Sequence, residues 1–422
     1  MSAQNGGVGS RRLIPSLPAH VWLLHTGLFV NTFGSGLVTP FLLIYLHLVR
    51  GFPLETAGLV AGTHFAVAIA FGIVGGSLVD RAGGRAIGIA SLALLSAGFF
   101  AFPLVTEPWQ AFALMAVAGA GRGAFWPSYS TLLAVLTPRE SLHDAYAVQR
   151  VAGNLGLALG ALAGGLIATT SDESTFAALF LLNGATFALF IVAFLLVPAV
   201  QAAPRVDGRP AASYRAVLAD RSFVALVAVN CVLVTAGIAQ LNSVLPVFAK
   251  DDAGVGETVI GLIFVANALA IVLLQIPVAR VLEGRRRMLM LALMAALWAA
   301  SWLLVLGGGL LLPVGLAAVA LVAAGVVFAV GECIHGVVQG PLVADLAPAA
   351  LRGRYMALWL TTAQLGFAAG PIIGSFLLAR SAVAAWATMA GACLVAGGVA
   401  TLFERRLPAD ARVTPRSTPA PA

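Results

Sequence analysis

Residues 154–165 read NLGLALGALAGG, and residues 364–375 read QLGFAAGPIIGS. Each carries glycine at every fourth position: Gly156, Gly160 and Gly164 in the first, Gly366, Gly370 and Gly374 in the second, each pair 210 positions apart. A four-residue period sets the glycines of each segment on one face of a helix, where the backbone of a second helix can come close. One such stripe is common in membrane helices. Two at a fixed offset, with Pro138 and Pro348 upstream at the same spacing, indicate a duplicated unit.

The sequence around these segments supplies the solvent for such helices. Of 422 residues, 60% are hydrophobic and 10% charged, and the mean hydropathy is +0.98. Soluble domains carry about a quarter charged residues, so an ordinary globular enzyme is excluded. Apolar runs occur at 21–46, 56–79, 86–105, 109–136, 146–169 and 175–197, and again at 222–249, 258–281, 288–306, 313–344, 355–379 and 383–403. Each is long enough to cross the roughly 30 Å hydrocarbon core of a bilayer. The broadest interruption, 198–221, is rich in proline, arginine and small residues and reads as a linker. The expected fold is therefore an all-α membrane protein of twelve transmembrane helices in two pseudo-symmetric six-helix halves. Its parts are a tail at 1–18, a first half at 19–197, the linker at 198–221, a second half at 222–404 and a polar, unstructured tail at 405–422.

Charge placement sets the orientation. All basic residues except Arg50, Lys250, Arg380 and Arg122 fall on the side that holds both termini, Arg150 being counted among them. The positive-inside rule then puts both termini in the cytoplasm. The arginines form no dense basic patch with interleaved aromatics, so nucleic acid is not an expected partner. The three cysteines, Cys231, Cys333 and Cys393, lie in apolar runs without metal-ligand spacing and read as small hydrophobes. Neither a phosphate-binding loop nor a Ser-His-Asp arrangement is visible, which excludes ATP-driven transport and leaves no enzyme constellation.

Ionisable groups inside apolar runs are costly and mark function by default. Arg122 lies midway along the fourth run and Glu332 midway along the tenth, again 210 apart. Helical spacing adds Trp126 and Tyr129 to the face of Arg122, and His335 and Gln339 to that of Glu332. Two readings stand for Arg122 and Glu332: a static buried ion pair, or a carboxyl that gains and loses a proton as its surroundings change. His335 is an alternative proton carrier. His25 and His64 read as hydrogen-bonded polar residues. Trp126 and Tyr129 suit either stacking on an aromatic or cationic substrate or plain helix packing.

The stretch Gly76-Ser77-Leu78-Val79-Asp80-Arg81-Ala82-Gly83-Gly84-Arg85, between the second and third runs, resembles the loop signature of the major facilitator superfamily, departing from it only at Gly84. Residues 156–165 resemble the fifth-span motif of that family's proton-driven antiporters, with Ala161 in place of proline; the eleventh run carries Gly370-Pro371. Arg122 resembles the fourth-span arginine of the drug antiporters, although Phe125 and Trp126 occupy the places of their Gln and Gly. The resemblance covers the chain between its tails. It implies that Gly76, Asp80, Arg81, Gly83 and Arg85 form a conformational gate closing the cytoplasmic side. It also implies that spans one, four, seven and ten surround a cavity, adding Asn31, Ser35, Gln240 and Asn242 to its lining.

The function expected is secondary active transport by alternating access, namely proton-coupled efflux of small hydrophobic or amphipathic compounds. Glu332, Arg122 and His335 would couple the proton. The alternatives are a proton-linked importer of a sugar, organic acid or other small metabolite, and a transport-inactive sensor or scaffold. No cofactor or metal is expected, the proton gradient being the energy source. The expected setting is a monomer spanning the bacterial inner membrane many times.

Overall fold

The computed structural model describes residues 15–198, 214–348, 351–409 and 411–415. Twelve long helices account for most of them: α1 (Ala19–Val38), α2 (Leu54–Ala82), α3 (Gly84–Ala101), α4 (Pro108–Leu136), α5 (Leu142–Ile167), α6 (Glu173–Leu196), α7 (Arg221–Ala236), α8 (Glu257–Val281), α9 (Arg287–Leu311), α10 (Val314–Leu346), α11 (Arg352–Leu378) and α12 (Ala382–Phe403). Eleven of the helical segments are long and apolar enough to cross a membrane. The remaining helix, α4, has 29 residues but carries Arg122, Trp126, Pro127 and Tyr129 in its second half, which lowers its apolar content.

Punctuation in the sequence sets the helix ends. Pro18, Pro53 and Pro313 precede α1, α2 and α10, where a fixed φ and a missing N–H cost nothing. Asp172 and Asp220 cap α6 and α7 by accepting first-turn N–H groups, and these bonds hold the exposed Asp172 carboxyl below its usual range. α1 runs on through a 3-10 turn at Thr39–Phe41 and a π-helical turn at Tyr45–Val49. α7 likewise continues past Gly237 as Ile238–Asn242 and past Ser243 as Val244–Asp251.

The first six and last six helices repeat one set of neighbours. α1 packs on α5 and α6, α2 on α4, and α3 on α4 and α6; α7 packs on α11 and α12, α8 on α10, and α9 on α10 and α12. Two seams join the sets: α2 against α11, and α5 against α8. The glycine stripes lie where the first kind of contact is closest. A Cβ on Gly156 or Gly164 would strike α1 at Phe29 or Leu37, and one on Gly366 or Gly374 would strike Val234 or Val244 of the α7 segment.

Within the stretch read as linker, 199–213 lies outside the described residues, while Tyr214–Ala219 is helical. The second tail departs from its expected unstructured state. Residues 411–415 fold back on the α8–α9 loop, with Arg287 N–H donating to Arg412 O at 2.8 Å, Thr414 N–H to Arg285 O at 3.0 Å and Gly284 N–H to Thr414 O at 3.1 Å. Backbone pairing supplies this docking, so no apolar periodicity announces it. The first tail, apart from residues 15–18, lies outside the described residues.

Candidate functional site

Glycines report where the two helix sets touch. Near the end that carries Lys250, a Cβ on Gly58 or Gly62 of α2 would collide with α11, and one on Gly165 of α5 would collide with Glu257 of α8. Phe65 and Phe367 stack across the α2–α11 seam with centroids 5.4 Å apart. Thr170 N–H donates to Glu257 Oε1 at 2.9 Å, and Lys250 pairs with the same carboxylate at 3.0 Å. At the opposite, arginine-rich end, a Cβ on Gly76, Gly153, Gly340 or Gly353 would meet nothing within 4 Å. The close glycine contacts between the sets thus lie toward the Lys250 end.

The polar groups between them come from the expected helices. On α4, Arg122 makes no ion pair among the described residues; its guanidinium carbon stands 5.2 Å from the Phe65 ring centroid and its Nε is buried without a partner. On α10, Glu332 accepts a hydrogen bond from Asn267 Nδ2 of α8 at 2.7 Å. Arg122 and Glu332 are therefore not a bonded pair in this state, and the static-pair reading does not describe it. His335 shares a 3.1 Å hydrogen bond with Asn230 Oδ1 of α7 and stacks on Trp298 of α9.

The other cavity candidates divide into two groups. Asn31 Nδ2, both amide atoms of Gln339, and His25 Nε2 are buried and unpartnered. Trp126 is exposed and edge-on to Tyr129 at 6.1 Å. The remaining candidates are occupied locally. Tyr129 is fully buried with its hydroxyl on His25 Nδ1 at 3.0 Å, so it braces α4 against α1. Ser35 Oγ donates to Asn31 O, and Asn242 Nδ2 to Ile238 O, each within its own helix. Gln240 Nε2 donates to Thr235 O at 2.8 Å and to Gly370 O at 2.9 Å, stapling the α7 segment to α11 beside Pro371.

The loop from Gly76 to Arg85 sits at the arginine-rich end. Asp80 and Arg81 are exposed and Arg85 is half-buried; Asp80 makes no ion pair with a described residue, and Arg85 Nη2 donates to Leu195 O of α6. Gly83 has φ +84° and ψ 149°, a conformation open essentially to glycine alone. A Cβ on Gly76 would meet nothing within 4 Å, whereas one on its neighbour Gly75 would lie 2.7 Å from Ala124 Cα. An apolar groove of about 340 Å³ between α1, α5 and α6 is separate from all these groups and is lined by residues such as Phe33, Ile167 and Leu189.

Two residues that the sequence reading did not single out enter the site. Asn267 holds Glu332; its signal was a lone amide in an otherwise apolar run. Arg150, counted with the basic residues flanking the spans, lies inside α5 with its guanidinium against Gly336 of α10. Among the described residues no group of three or more His, Cys, Asp or Glu side chains could hold a metal ion.

Comparison with known proteins supplies the context. The family model described as Major Facilitator Superfamily matches residues 24–256 and 229–422. The MFS-type transporter YttB of Bacillus subtilis is 25% identical over 376 residues, covering 86% of this chain and 89% of that protein. The multidrug resistance protein MdtH of Citrobacter koseri is 29% identical over 350 residues, covering 80% and 81%. Among solved structures, the nucleoside transporter NupG superposes with TM-score 0.70 at 13% identity, covering 92% of this chain and 97% of that one. A POT family transporter in complex with a thioalcohol-conjugated peptide gives TM-score 0.75 at 16% identity, covering 92% and 96%.

Proposed function

Because the chain belongs to the Major Facilitator Superfamily, we propose that it works by alternating access as a proton-coupled exporter of small hydrophobic or amphipathic compounds. Its α4 joins the eleven apolar segments as a twelfth span. Residues 19–197 and 222–404 move as two six-helix halves about the seams α2–α11 and α5–α8, as the repeated neighbour sets suggest. The excess of arginine at one end faces that end to the cytoplasm of a bacterial cell, with the protein in the inner membrane. The state described is then open inward. Asp80, now exposed, and Arg85, now half-buried on Leu195 O, would tie the cytoplasmic ends together in the opposite state.

Glu332 carries this reading. A carboxyl midway along a span, bonded to a neutral amide rather than paired with a cation, exists with its proton on at little cost. Losing that proton creates a charge that must find a partner, so proton binding and shape are linked. The resemblance to multidrug resistance proteins such as MdtH supports export of drug-like compounds, and Trp126 with the stacked Phe65 and Phe367 offers them apolar surface.

A second reading is favoured by the free polar atoms of His25, Asn31 and Gln339. They would suit a polar metabolite taken up with protons. One experiment separates the two: accumulation of a compound panel in cells with and without the gene, with the proton gradient intact or collapsed. Export predicts lower accumulation of some amphipathic compound only with the gradient intact, and loss of that difference in Glu332→Gln. Higher accumulation reverses the direction, and gradient-dependent transport retained by Glu332→Gln removes Glu332 as the proton carrier.

A further inference from the structure

The seam where α5 meets α8 and α10 holds an arrangement that deepens the proton-site reading and rests on it. Toward the Lys250 end this seam is tight, with Gly165 against Glu257 and Gly261. Toward the arginine-rich end α5 delivers Arg150. Its Nη2 stands 3.3 Å from where a Cβ on Gly336 would be, and the side-chain amide of Gln275 is 3.9 Å from the same point. Gln275 Nε2 also donates to Cys333 O at 3.5 Å. Gly336 lies one turn beyond Glu332 on the same face of α10, where side chains four apart are about 6 Å from each other. An arginine side chain covers that distance by rotation. The missing side chain at Gly336 leaves the path clear.

Arg150 stands one turn of α10 from Glu332, against Gly336, and the groups that face the carboxyl from the neighbouring helices are neutral. From α8 come Asn267 and Gln275, both neutral. α9 contributes Trp298, which donates its Nε1 hydrogen to Phe328 O. α7 contributes Asn230, engaged by His335. On α10 itself the titratable neighbours are Cys333 and His335. Arg122, on α4, faces Phe65 of α2.

We infer that Arg150 is the counter-ion Glu332 takes up across the seam when it loses its proton. The ion pair draws the cytoplasmic half of α5 onto α8 and α10 and shuts the arginine-rich mouth. Protonated Glu332 has no charge to offer and stays with Asn267 while Arg150 rests one turn away against Gly336, which is the arrangement described. In an export cycle the pair holds the outward-facing state until a proton from outside neutralises the carboxylate, and the transporter then returns inward. Arg150 is thus a positioning residue for proton coupling, acting on the proton site without contacting the substrate.

Paired spin labels on Ala147 of α5 and Val281 of α8, both exposed, would read the mouth directly in lipid vesicles. Cys231, Cys333 and Cys393 would be replaced by alanine. The wild-type distance is expected to shorten as pH rises. Arg150→Gln stays long at every pH, Arg150→Lys restores the shortening, and Glu332→Gln stays long. Gradient-driven transport by Arg150→Gln falls by about ten-fold or more, the equivalent of one pKa unit of lost coupling. Shortening retained in Arg150→Gln but lost in Glu332→Gln overturns the counter-ion role and leaves the proton site standing. Shortening retained in Glu332→Gln overturns both.

Discussion

The loops that follow α2 and α8 hold equivalent places in the two helix sets and have opposite fates. In the first, Asp80 and Arg81 are exposed, and the half-buried Arg85 is attached to Leu195 O. The second is strapped down. Thr414 reaches Leu282 O through its hydroxyl and Arg285 through its backbone, Arg286 grips Glu404 with two bonds of 2.6 Å, and Arg287, 1% exposed, pairs with Asp345 at 2.6 Å. The hydrogen bond to Glu404 and that carboxylate's charge raise the Arg286 pKa above its ordinary value. One loop keeps its charged groups available for a partner it lacks in this state. The other has spent Arg286 and Arg287 internally. A duplicated fold can thus carry one loop that moves and one that anchors.

The contrast can be broken in several places. The largest effect is expected from Asp80→Asn, which should abolish transport in whole cells while membrane insertion, followed by immunoblot, is unchanged; unaltered transport would remove the gate role. On the anchored side, Asp345→Ala leaves the buried Arg287 guanidinium without its partner. Since Asp345 is itself half exposed, a loss of about 2 kcal/mol is expected, between the values for surface and buried pairs, read as a lower thermal midpoint in detergent. Gly83→Ala forces a side chain into a glycine-only conformation and should cost about 1–3 kcal/mol.

Deleting residues 409–422 removes several backbone bonds, each worth about 1 kcal/mol net, but also releases the entropy of the ordered segment. The stability change should therefore be small, whereas amide exchange at Gly284, Arg285 and Arg287 should accelerate sharply. Smallest is Gly76→Ala. With nothing within 4 Å of the new methyl, it should leave stability level or raise it by about 0.5–1 kcal/mol, the usual gain for alanine inside a helix. Transport lost despite that stability would show that Gly76 is needed close-packed in the closed state.

Much of this fold was legible because lipid imposes a crude code. Apolar runs marked the helices, and the four-residue glycine stripes marked faces for close helix contact without naming the partners, which are α1 for α5 and α7 for α11. The fourth run, 109–136, matched the α4 helix although Arg122, Trp126 and Tyr129 interrupt its apolar residues. The code gave no sign of the strap, since Arg412 and Thr414 are held through backbone atoms that every residue possesses. In the site, Arg122 and Glu332 stood out because charge is rare in spans, yet their separation depends on how two rigid sets tilt, and spacing along a chain does not encode tilt. Tyr129 was drawn toward the cavity by helical phase and Gln240 by the resemblance, but one braces α1 and the other staples α11. Arg150 was hidden by its position near a helix start, where an arginine ordinarily meets water.

With α4 as the twelfth span proposed above, Arg122 sits part-way across the bilayer, on a half proposed to rock, and pairs with no carboxylate among the described residues. Its charge therefore lies inside the membrane's electric field. Carrying one elementary charge fully across 100 mV is worth about 2.3 kcal/mol, and a partial displacement takes a proportional share. A cell with a negative interior pulls such an arginine toward the cytoplasm. Voltage alone, at constant pH on both sides, should therefore bias the balance between inward- and outward-facing populations.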